Sequence, residues 1–421
     1  MYKRQGVTTP ETFTKSTPAY FMDKAQRKYI YDIQGGEDGK KLYDAVQKAI
    51  DKAKLLADVV IGLGHLGVDP SSSPWTSEEV IAHTSGFDAF IDGHSHTVME
   101  NKQVQDASGK AVTLTQTGSY FANVGEMTIA ADGTITTKLI PTHDGMDAGI
   151  AAMQTGWVNT VDDMLGEKIA VGDSDFYISD PATGKRRIRS AETNLGDFVA
   201  DGIYTYFNEV EKLHCDVAIM NGGGIRADVP AGDWTFKTCK QVSPFGNVAC
   251  LMSVTGKQIQ DALEFAARFA GEDGKENGGF LQVAGATYEI HTDIPNTVQT
   301  DEKNVWIGSA TGTPRVQNVK IYDKASGSYL PLDPGATYAL AGMNYTLRNL
   351  GDGFAMFDGA ELIKDYVSED YLVMSTYAMT FDGADAAGLP HLSSANSPLA
   401  AYPGYLLNYE QPYGAGRITI L

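Results

Sequence analysis

Positive charge, cysteine and long apolar runs are all scarce in this sequence, and each shortage removes a class of function. Only 33 Lys and Arg stand against 53 Asp and Glu, for a formal net charge of −20. So acidic a chain has no broad face for a nucleic-acid backbone or an anionic membrane. Any phosphate site must be local, made by a few arginines or metal ions gathered at one place. The three cysteines, Cys215, Cys239 and Cys250, lack C-x-x-C spacing, and their odd number precludes a fully paired framework. Buried free thiols are expected, with one disulfide left open and the compartment undecided. No apolar run approaches the roughly 18 to 20 residues of a membrane span, and no signal peptide is visible. What is present is a chain of 421 residues, 43% apolar and 20% charged, the balance of a globular protein with room for two domains.

The opening Met1–Gln5 runs straight into an extended segment, Val7-Thr-Thr-Pro10, without the helix or strand that normally precedes such a loop. An incomplete gene is the expectation, with a native signal peptide lost alongside the missing residues. From Leu42 to Ala57 apolar residues recur near helical spacing, and Asp58–Leu63 follows as a buried-strand pattern. A loop through Pro70 and Pro74 leads to Thr76-Ser-Glu-Glu79, a helix start with capping chemistry, and then to a strand at Ala89–Asp92. Two helix-strand units in succession imply an α/β sheet. Residues 111–140 alternate apolar and polar around Gly118 and Asp132-Gly133 as strands and hairpins. A helical pattern over 146–168 reads as a connector between domains. Beyond it strands and helices mix: a helix near 195–206, a strand at 217–219, a helix over 256–270 and β segments around 282–291. That mixture is α+β, and no internal repeat or low-complexity tract occurs.

Three of the eight histidines, His65, His94 and His96, stand in two glycine-flanked loops, Gly64-His-Leu-Gly67 and Gly93-His-Ser-His-Thr97, each after a predicted strand. The carboxyl ends of strands are where α/β sheets place their sites. Neutral imidazole suits zinc, manganese or iron, and glycine lets such loops converge without strain. A lone loop histidine would more simply bond to backbone; two such loops favour ligands. His83, on a helix, and His143, at the domain's end, are read as structural.

These stretches, Asp58 to Gly67 and Gly86 to Thr97, resemble the second half of the calcineurin-like metallophosphoesterase domain of 5'-nucleotidases. The resemblance implies that His65 and His94 ligate one divalent ion and His96 another, the pair of Zn, Mn or similar ions activating a water for attack on phosphorus. The earlier motifs of that family, an Asp-x-His, a bridging aspartate and a Gly-Asn-His-Asp/Glu, are absent, and nothing before His65 is expected to replace them. Three imidazoles without a bridging carboxylate are too few for a tight dinuclear centre.

Further along, Asp216-Val-Ala-Ile-Met-Asn221-Gly-Gly-Gly224-Ile-Arg226 is a strand running into three glycines and an arginine. Glycine allows close backbone approach, and Arg226 supplies a planar cationic fork. Alone this is as readily a turn. Its companions are Ser190–Asp197, Ser243-Pro-Phe245-Gly-Asn247, Gly278–Gly285 and Leu350-Gly-Asp352-Gly-Phe354. Together, in this order, they resemble the C-terminal substrate domain of the 5'-nucleotidase family. By that resemblance Arg189 and Arg226 hold the phosphate and ribose side, Asp352 accepts from ribose hydroxyls, Asn221 and Gly224 meet the base, and Phe245 stacks on it. Taken singly, the default readings are a core Phe245, a surface Arg189 and an Asp352 serving a turn. The second aromatic of the family's clamp falls here on Thr346, with Tyr345 as neighbour and stand-in. Arg187 and Arg186 adjoin Arg189 as secondary candidates.

The expected fold is therefore α/β plus α+β. Residues 1–145 make the C-terminal part of a four-layer metallophosphoesterase β-sandwich, 146–168 a hinge helix and 169–421 a nucleotide-binding domain. The resemblance implies release of phosphate from nucleoside 5'-monophosphates. The alternatives are 2',3'-cyclic-nucleotide phosphodiesterase with 3'-nucleotidase activity, UDP-sugar hydrolysis, or a non-catalytic nucleotide-binding module. The partner is a nucleotide rather than a nucleic-acid polymer, and the expected location is periplasmic, secreted or cell-surface.

Overall fold

The computed structural model of the chain describes residues 2–23, 28–142, 145–272 and 274–421. It divides into two compact units, one of Met1–Ser16, Phe21–Asp147 and Glu302–Asn304, the other of Thr17–Tyr20, Ala148–Asp301 and Val305–Leu421.

The first unit holds β1 (Tyr2–Thr8), α1 (Lys40–Lys54), β2 (Val59–His65), α2 (Ser77–Ala82), β3 (Ala89–Asp92), β4 (Val98–Gln105), β5 (Ala111–Thr117), β6 (Asn123–Ile129) and β7 (Ile135–Pro141). Five strands form one sheet in the order β1-β2-β3-β5-β4, with β1, β2, β3 and β5 parallel and β4 antiparallel at the edge. β6 and β7 form a separate hairpin. Helix α1 forms because Leu42, Val46, Ile50 and Ala53 recur on one face, and all four are buried with Val60, Phe87, Phe90 and Leu114. Thr76 caps α2, its Oγ1 accepting from the Glu79 N–H at 3.3 Å.

The opening segment departs from expectation. Tyr2–Thr8 is itself a strand, in parallel register with β2 from Tyr2 opposite Val59 to Thr8 opposite His65. Composition hid it, because an edge strand needs backbone pairing more than apolar alternation.

The second unit opens with α3 (Ala148–Leu165), shorter at both ends than the stretch read from sequence. None of its described residues is buried, and Ile150, Met153, Trp157 and Met164 are each more than half exposed. Then come α4 (Asn194–Thr205), β8 (Val217–Asn221), β9 (Ala249–Thr255), α5 (Gly256–Ala266), β10 (Leu281–Ala284), β11 (Ala286–Ile290), β12 (Val316–Asp323), β13 (Ser328–Pro331), β14 (Thr337–Met343), β15 (Glu361–Lys364), α6 (Asp370–Ala378) and β16 (Ile418–Ile420). Helix α5 stops at Ala266, four residues before the expected end.

A mixed sheet runs β10-β8-β14-β9-β15, in which β8 and β14 are the parallel neighbours. A second sheet runs β13-β12-β11-β16, and a third joins Gly232–Thr235, Lys168–Gly172 and His391–Leu392. One core packs α4 and α6 against the sheet through Phe198, Trp234, Tyr377 and Tyr409; another packs α5 through Phe265 against Leu281 and Phe354. The three cysteines are buried and unpaired, as their spacing suggested. Because β8 and β14 are parallel, the loops after Asn221 and Met343 leave the sheet at the same end.

Candidate functional site

In the first unit, β2 ends at His65 and β3 delivers the Gly93–Thr97 loop beside it. The His65 and His94 rings lie 5.0 Å apart, centroid to centroid, tilted by 59°. The loops interlock through polar contacts. The Asp92 carboxylate accepts from the Leu66 N–H at 2.9 Å, and the Gln116 side-chain carbonyl accepts from the Thr97 N–H at 2.7 Å. Gly64 is required, because a Cβ there would lie 2.4 Å from the Phe90 ring and 2.8 Å from Asp92 Oδ1. His94 and His96 both hold left-handed backbone, at φ 77° and 58°. Such strain costs about 1–3 kcal/mol per residue and clusters where geometry serves a ligand.

Burial and the neighbouring His94 lower the His65 pKa below its ordinary value, against a smaller opposing pull from Asp92. His65 therefore stays neutral, the form that binds metal. Asp92 Oδ2 is buried without a hydrogen-bond partner, a negative charge suited to a nearby cation. Yet among the described residues no three His, Cys, Asp or Glu side chains are grouped closely enough to hold an ion. The residues fit part of a metal site, with two imidazoles facing each other, and do not furnish ligands for two ions. His96 follows in the same loop, exposed. His83 belongs to structure: its Nδ1 lies 2.8 Å from the Glu79 carbonyl and its ring stacks on Tyr43 at 4.4 Å. His143 lies outside the described residues.

One residue was missed. Glu11, assigned nothing from the sequence, has its Oε2 3.1 Å from His94 Nε2. Burial works to raise its pKa, but the His94 bond and Lys15 outweigh burial and hold the carboxyl below its ordinary value. A carboxylate before His65 therefore reaches a histidine loop, as a hydrogen-bond partner of His94. A lone Glu in a Thr-Pro-Glu turn gives no sequence signal of a partner 83 residues away.

In the second unit, β8 carries Asn221 and turns at once through Gly222–Gly224. Gly222 has no alternative, since a Cβ there would lie 2.3 Å from the Ile188 carbonyl oxygen. The Gly222 and Gly223 N–H groups donate to Phe280 and Gly278 carbonyls, both at 2.7 Å. Gln282 fixes the arginine loop by donating to the Ile188 and Ala191 carbonyls at 3.1 and 2.9 Å.

Asn221 Nδ2 donates to Asp352 Oδ2 at 3.2 Å, joining the end of β8 to the Gly351–Gly353 turn that lies beyond β14. Asp352 is buried, at φ 55°, in a loop whose Gly351 lies against the Tyr345 ring. The Asp352 N–H donates to Tyr345 Oη at 3.2 Å. Tyr345 thus braces the aspartate from below, and Thr346 is buried beside it.

Arg189 is largely buried, and its Nε has no hydrogen-bond partner. Burial, with help from Arg186 and Arg226, lowers its pKa to about 10, while Glu276 and Asp352 oppose the shift. Three guanidiniums with two carboxylates leave excess positive charge, the electrostatics of an anion site. Arg186 is held by Glu276, with its Nε 2.6 Å from Glu276 Oε2. Arg187 donates from Nε to the Glu192 carbonyl at 2.8 Å and lies 4.8 Å above the Tyr413 ring. Arg226 lies 5.7 Å from the Phe245 ring, which is 58% exposed. Gly224 is buried beside Asn221.

The default readings of a core Phe245 and a surface Arg189 are thus reversed. Phe245 is an exposed ring beside Arg226, and Arg189 keeps an enclosed Nε without a hydrogen-bond partner.

Residues 169–359 match the family described as 5'-nucleotidase, C-terminal domain. Over that stretch the chain is similar to the C-terminal domain of 5'-nucleotidases. It is 29% identical over 382 residues to the trifunctional nucleotide phosphoesterase protein YfkN of Bacillus subtilis, covering 88% of this chain and 23% of that protein. To the human 5'-nucleotidase it is 26% identical over 363 residues, covering 79% of this chain and 58% of the relative. The chain thus spans from about a quarter to about three fifths of these two relatives. Among solved structures, a 5'-nucleotidase precursor of Thermus thermophilus superposes with a TM-score of 0.67 at 23% identity, over 90% of this chain and 67% of the other. The sulfate thiohydrolase SoxB of the same organism gives 0.63 at 15%, over 100% and 63%. These likenesses place the chain in the fold of 5'-nucleotidases, a mixed α/β architecture. No helix among the described residues is long and apolar enough to cross a membrane.

Proposed function

We propose that the second unit binds a nucleoside 5'-monophosphate and that the protein hydrolyses its phosphoester with divalent metal ions held at the histidine loops. The carrying observation is the meeting of Asn221, Asp352, Arg189 and Arg226 around the Gly222–Gly224 turn. Arg189 and Arg226 neutralise the phosphate and ribose side, Asp352 accepts from ribose hydroxyls, and Asn221 with the Gly224 backbone meets the base. Phe245 stacks on the base, a contact worth about 1–3 kcal/mol for any base. Tyr345 acts as a brace for Asp352 in this reading. His65, His94 and His96 would hold the metal. When bound, a divalent ion lowers the pKa of water and neutralises phosphoryl oxygens. A periplasmic, secreted or cell-surface location belongs to the same proposal, as does hinge motion at α3.

The shortage of grouped ligands favours a second reading, a nucleotide-binding module without turnover. Calorimetric titration of AMP separates binding from chemistry. Binding should persist without metal and weaken about tenfold or more in Arg226→Ala and Asp352→Ala, roughly 1.4 kcal/mol or more. No AMP binding, or binding indifferent to both substitutions, would sink the cradle. Phosphate release from AMP with added manganese or zinc would exclude the module reading.

A further inference from the structure

The arginine loop, Arg187 to Glu192, is pinned from two directions. From the mixed sheet, the Asn277 N–H donates to the Arg189 carbonyl at 3.1 Å, beside the Gln282 bonds to Ile188 and Ala191. From the other side comes the segment that leads into β16. Glu192, 2% exposed, accepts from three of its backbone N–H groups. Oε1 takes those of Gly416 at 2.9 Å and Arg417 at 3.0 Å, and Oε2 takes that of Ile418 at 2.7 Å. Ile418 stands opposite Tyr288 in the β16–β11 pair, so this carboxylate fastens the arginine loop to a second sheet. Gly414 makes room for the clasp, since a Cβ there would lie 2.6 Å from Glu192 Cγ.

Hydrogen bonds to a carboxylate are roughly twice as strong as neutral ones, which makes Glu192 the firmest of these anchors. Arg189 needs a firm anchor. Its Nε is enclosed and unbonded, and Glu276 Oε2 stands 3.9 Å from its Nη1. An enclosed donor without a partner is costly, so the guanidinium would swing toward that carboxylate or toward water if its backbone could give. We propose that Glu192 is the positioning residue for Arg189, its grip on Gly416, Arg417 and Ile418 setting the loop so that the unbonded Nε faces the phosphate of a bound nucleotide. This rests on reading Arg189 as the phosphate-holding residue. Phosphate and nucleoside recognition then have separate supports, because Asn221 and Asp352 are braced by each other and by Tyr345.

The test uses the full chain. Calorimetry reads the affinities for AMP and for adenosine, and nitrogen-15 NMR reads the Arg189 Nε–H signal, identified by its loss in Arg189→Ala. Glutamine at 192 turns an amide NH2 onto a backbone N–H, donor against donor. Glu192→Gln should therefore shift the Arg189 signal and weaken AMP binding about tenfold. Adenosine affinity should stay within about twofold of the parent. Since Glu192 acts through Arg189, adding Glu192→Gln to Arg189→Ala should lower AMP affinity by no more than about twofold beyond Arg189→Ala alone. Gly414→Ala presses on the clasp from the opposite side and should reproduce the selective loss. It carries the test if circular dichroism shows that Glu192→Gln does not fold.

AMP affinity unchanged in both variants overturns the proposal. So does equal loss of AMP and adenosine, or a loss from Glu192→Gln that adds in full to that of Arg189→Ala, either of which makes the clasp plain structural support. Arg189→Ala tests the underlying reading separately. If it leaves AMP affinity intact, the phosphate reading falls, and the NMR signal alone decides whether Glu192 positions the arginine; a signal unmoved by Glu192→Gln rejects that too.

Discussion

In the first unit the site residues stand on strained, partly open loops, with His94 and His96 at positive φ and His65 exposed. In the second, the residues proposed to hold substrate rest on a scaffold whose polar groups are buried and cross-braced. Asp352 is held by Asn221 and Tyr345, the arginine loop by Gln282, and the turn by Phe280 and Gly278. Behind that cradle, α4 carries Asp197 and Asp201, both fully enclosed, and Arg417 pairs with Asp201 at 2.7 Å and approaches Asp197 at 3.7 Å. Tyr405 and Tyr409 hydroxyls donate to Asp201, each at 2.7 Å. The contrast shows two ways of placing polar side chains. The second unit is locked by donors and acceptors of the chain itself, whereas the histidine loops are held by fewer contacts and stay more open.

The largest expected effect breaks the locked side. Arg417→Met leaves Asp197 and Asp201 buried without their cation and should cost about 3–5 kcal/mol in urea unfolding, with AMP binding lost in parallel. A loss under about 1 kcal/mol would mean that the arginine is dispensable and the bracing lies elsewhere.

A pH effect comes next. Burial raises the Asp370 pKa to about 6. This carboxyl accepts from the Asn247 N–H at 3.2 Å, and so anchors the loop bearing Phe245. A carboxyl with a raised folded pKa binds its proton more tightly when folded, so its contribution is fully present below the unfolded pKa of 3.8 and declines as pH rises to about 6. The decline should be on the order of 2–3 kcal/mol. Asp370→Asn should flatten the stability profile across that window; an unchanged profile would remove this residue from the account.

The smallest effect lies on the open side. His65→Gln should change metal-free stability by no more than about 0.5 kcal/mol, because an exposed side chain outside the core contributes little. A larger loss would show the histidine loops to be as integral as the cradle.

The sequence was most legible where chemistry and periodicity agreed. Thr76 capped its helix and Ala89–Asp92 formed its strand, while Asn221, Arg189, Arg226 and Asp352 lie near one another in the structure. It was least legible where an interaction depended on register alone. Tyr2–Thr8 shows no strand alternation, yet pairs residue for residue with Val59–His65. That pairing is what carries Glu11 to His94. Tyr345 presented the same difficulty, since residue type did not reveal that its ring would lie under Gly351.

The Arg417 pair also bears on how the protein is made. Its partner Asp201 lies 216 residues earlier in the chain. Until residue 417 has left the ribosome, α4 carries two acids with no countercharge, and Glu192 has none of the Gly416, Arg417 and Ile418 N–H groups it accepts from. Contacts of such long range close slowly, because the loop entropy must be met before they can form. The proposed cradle therefore becomes rigid only after Arg417 has emerged, well behind Asn221 and Arg226 in the chain.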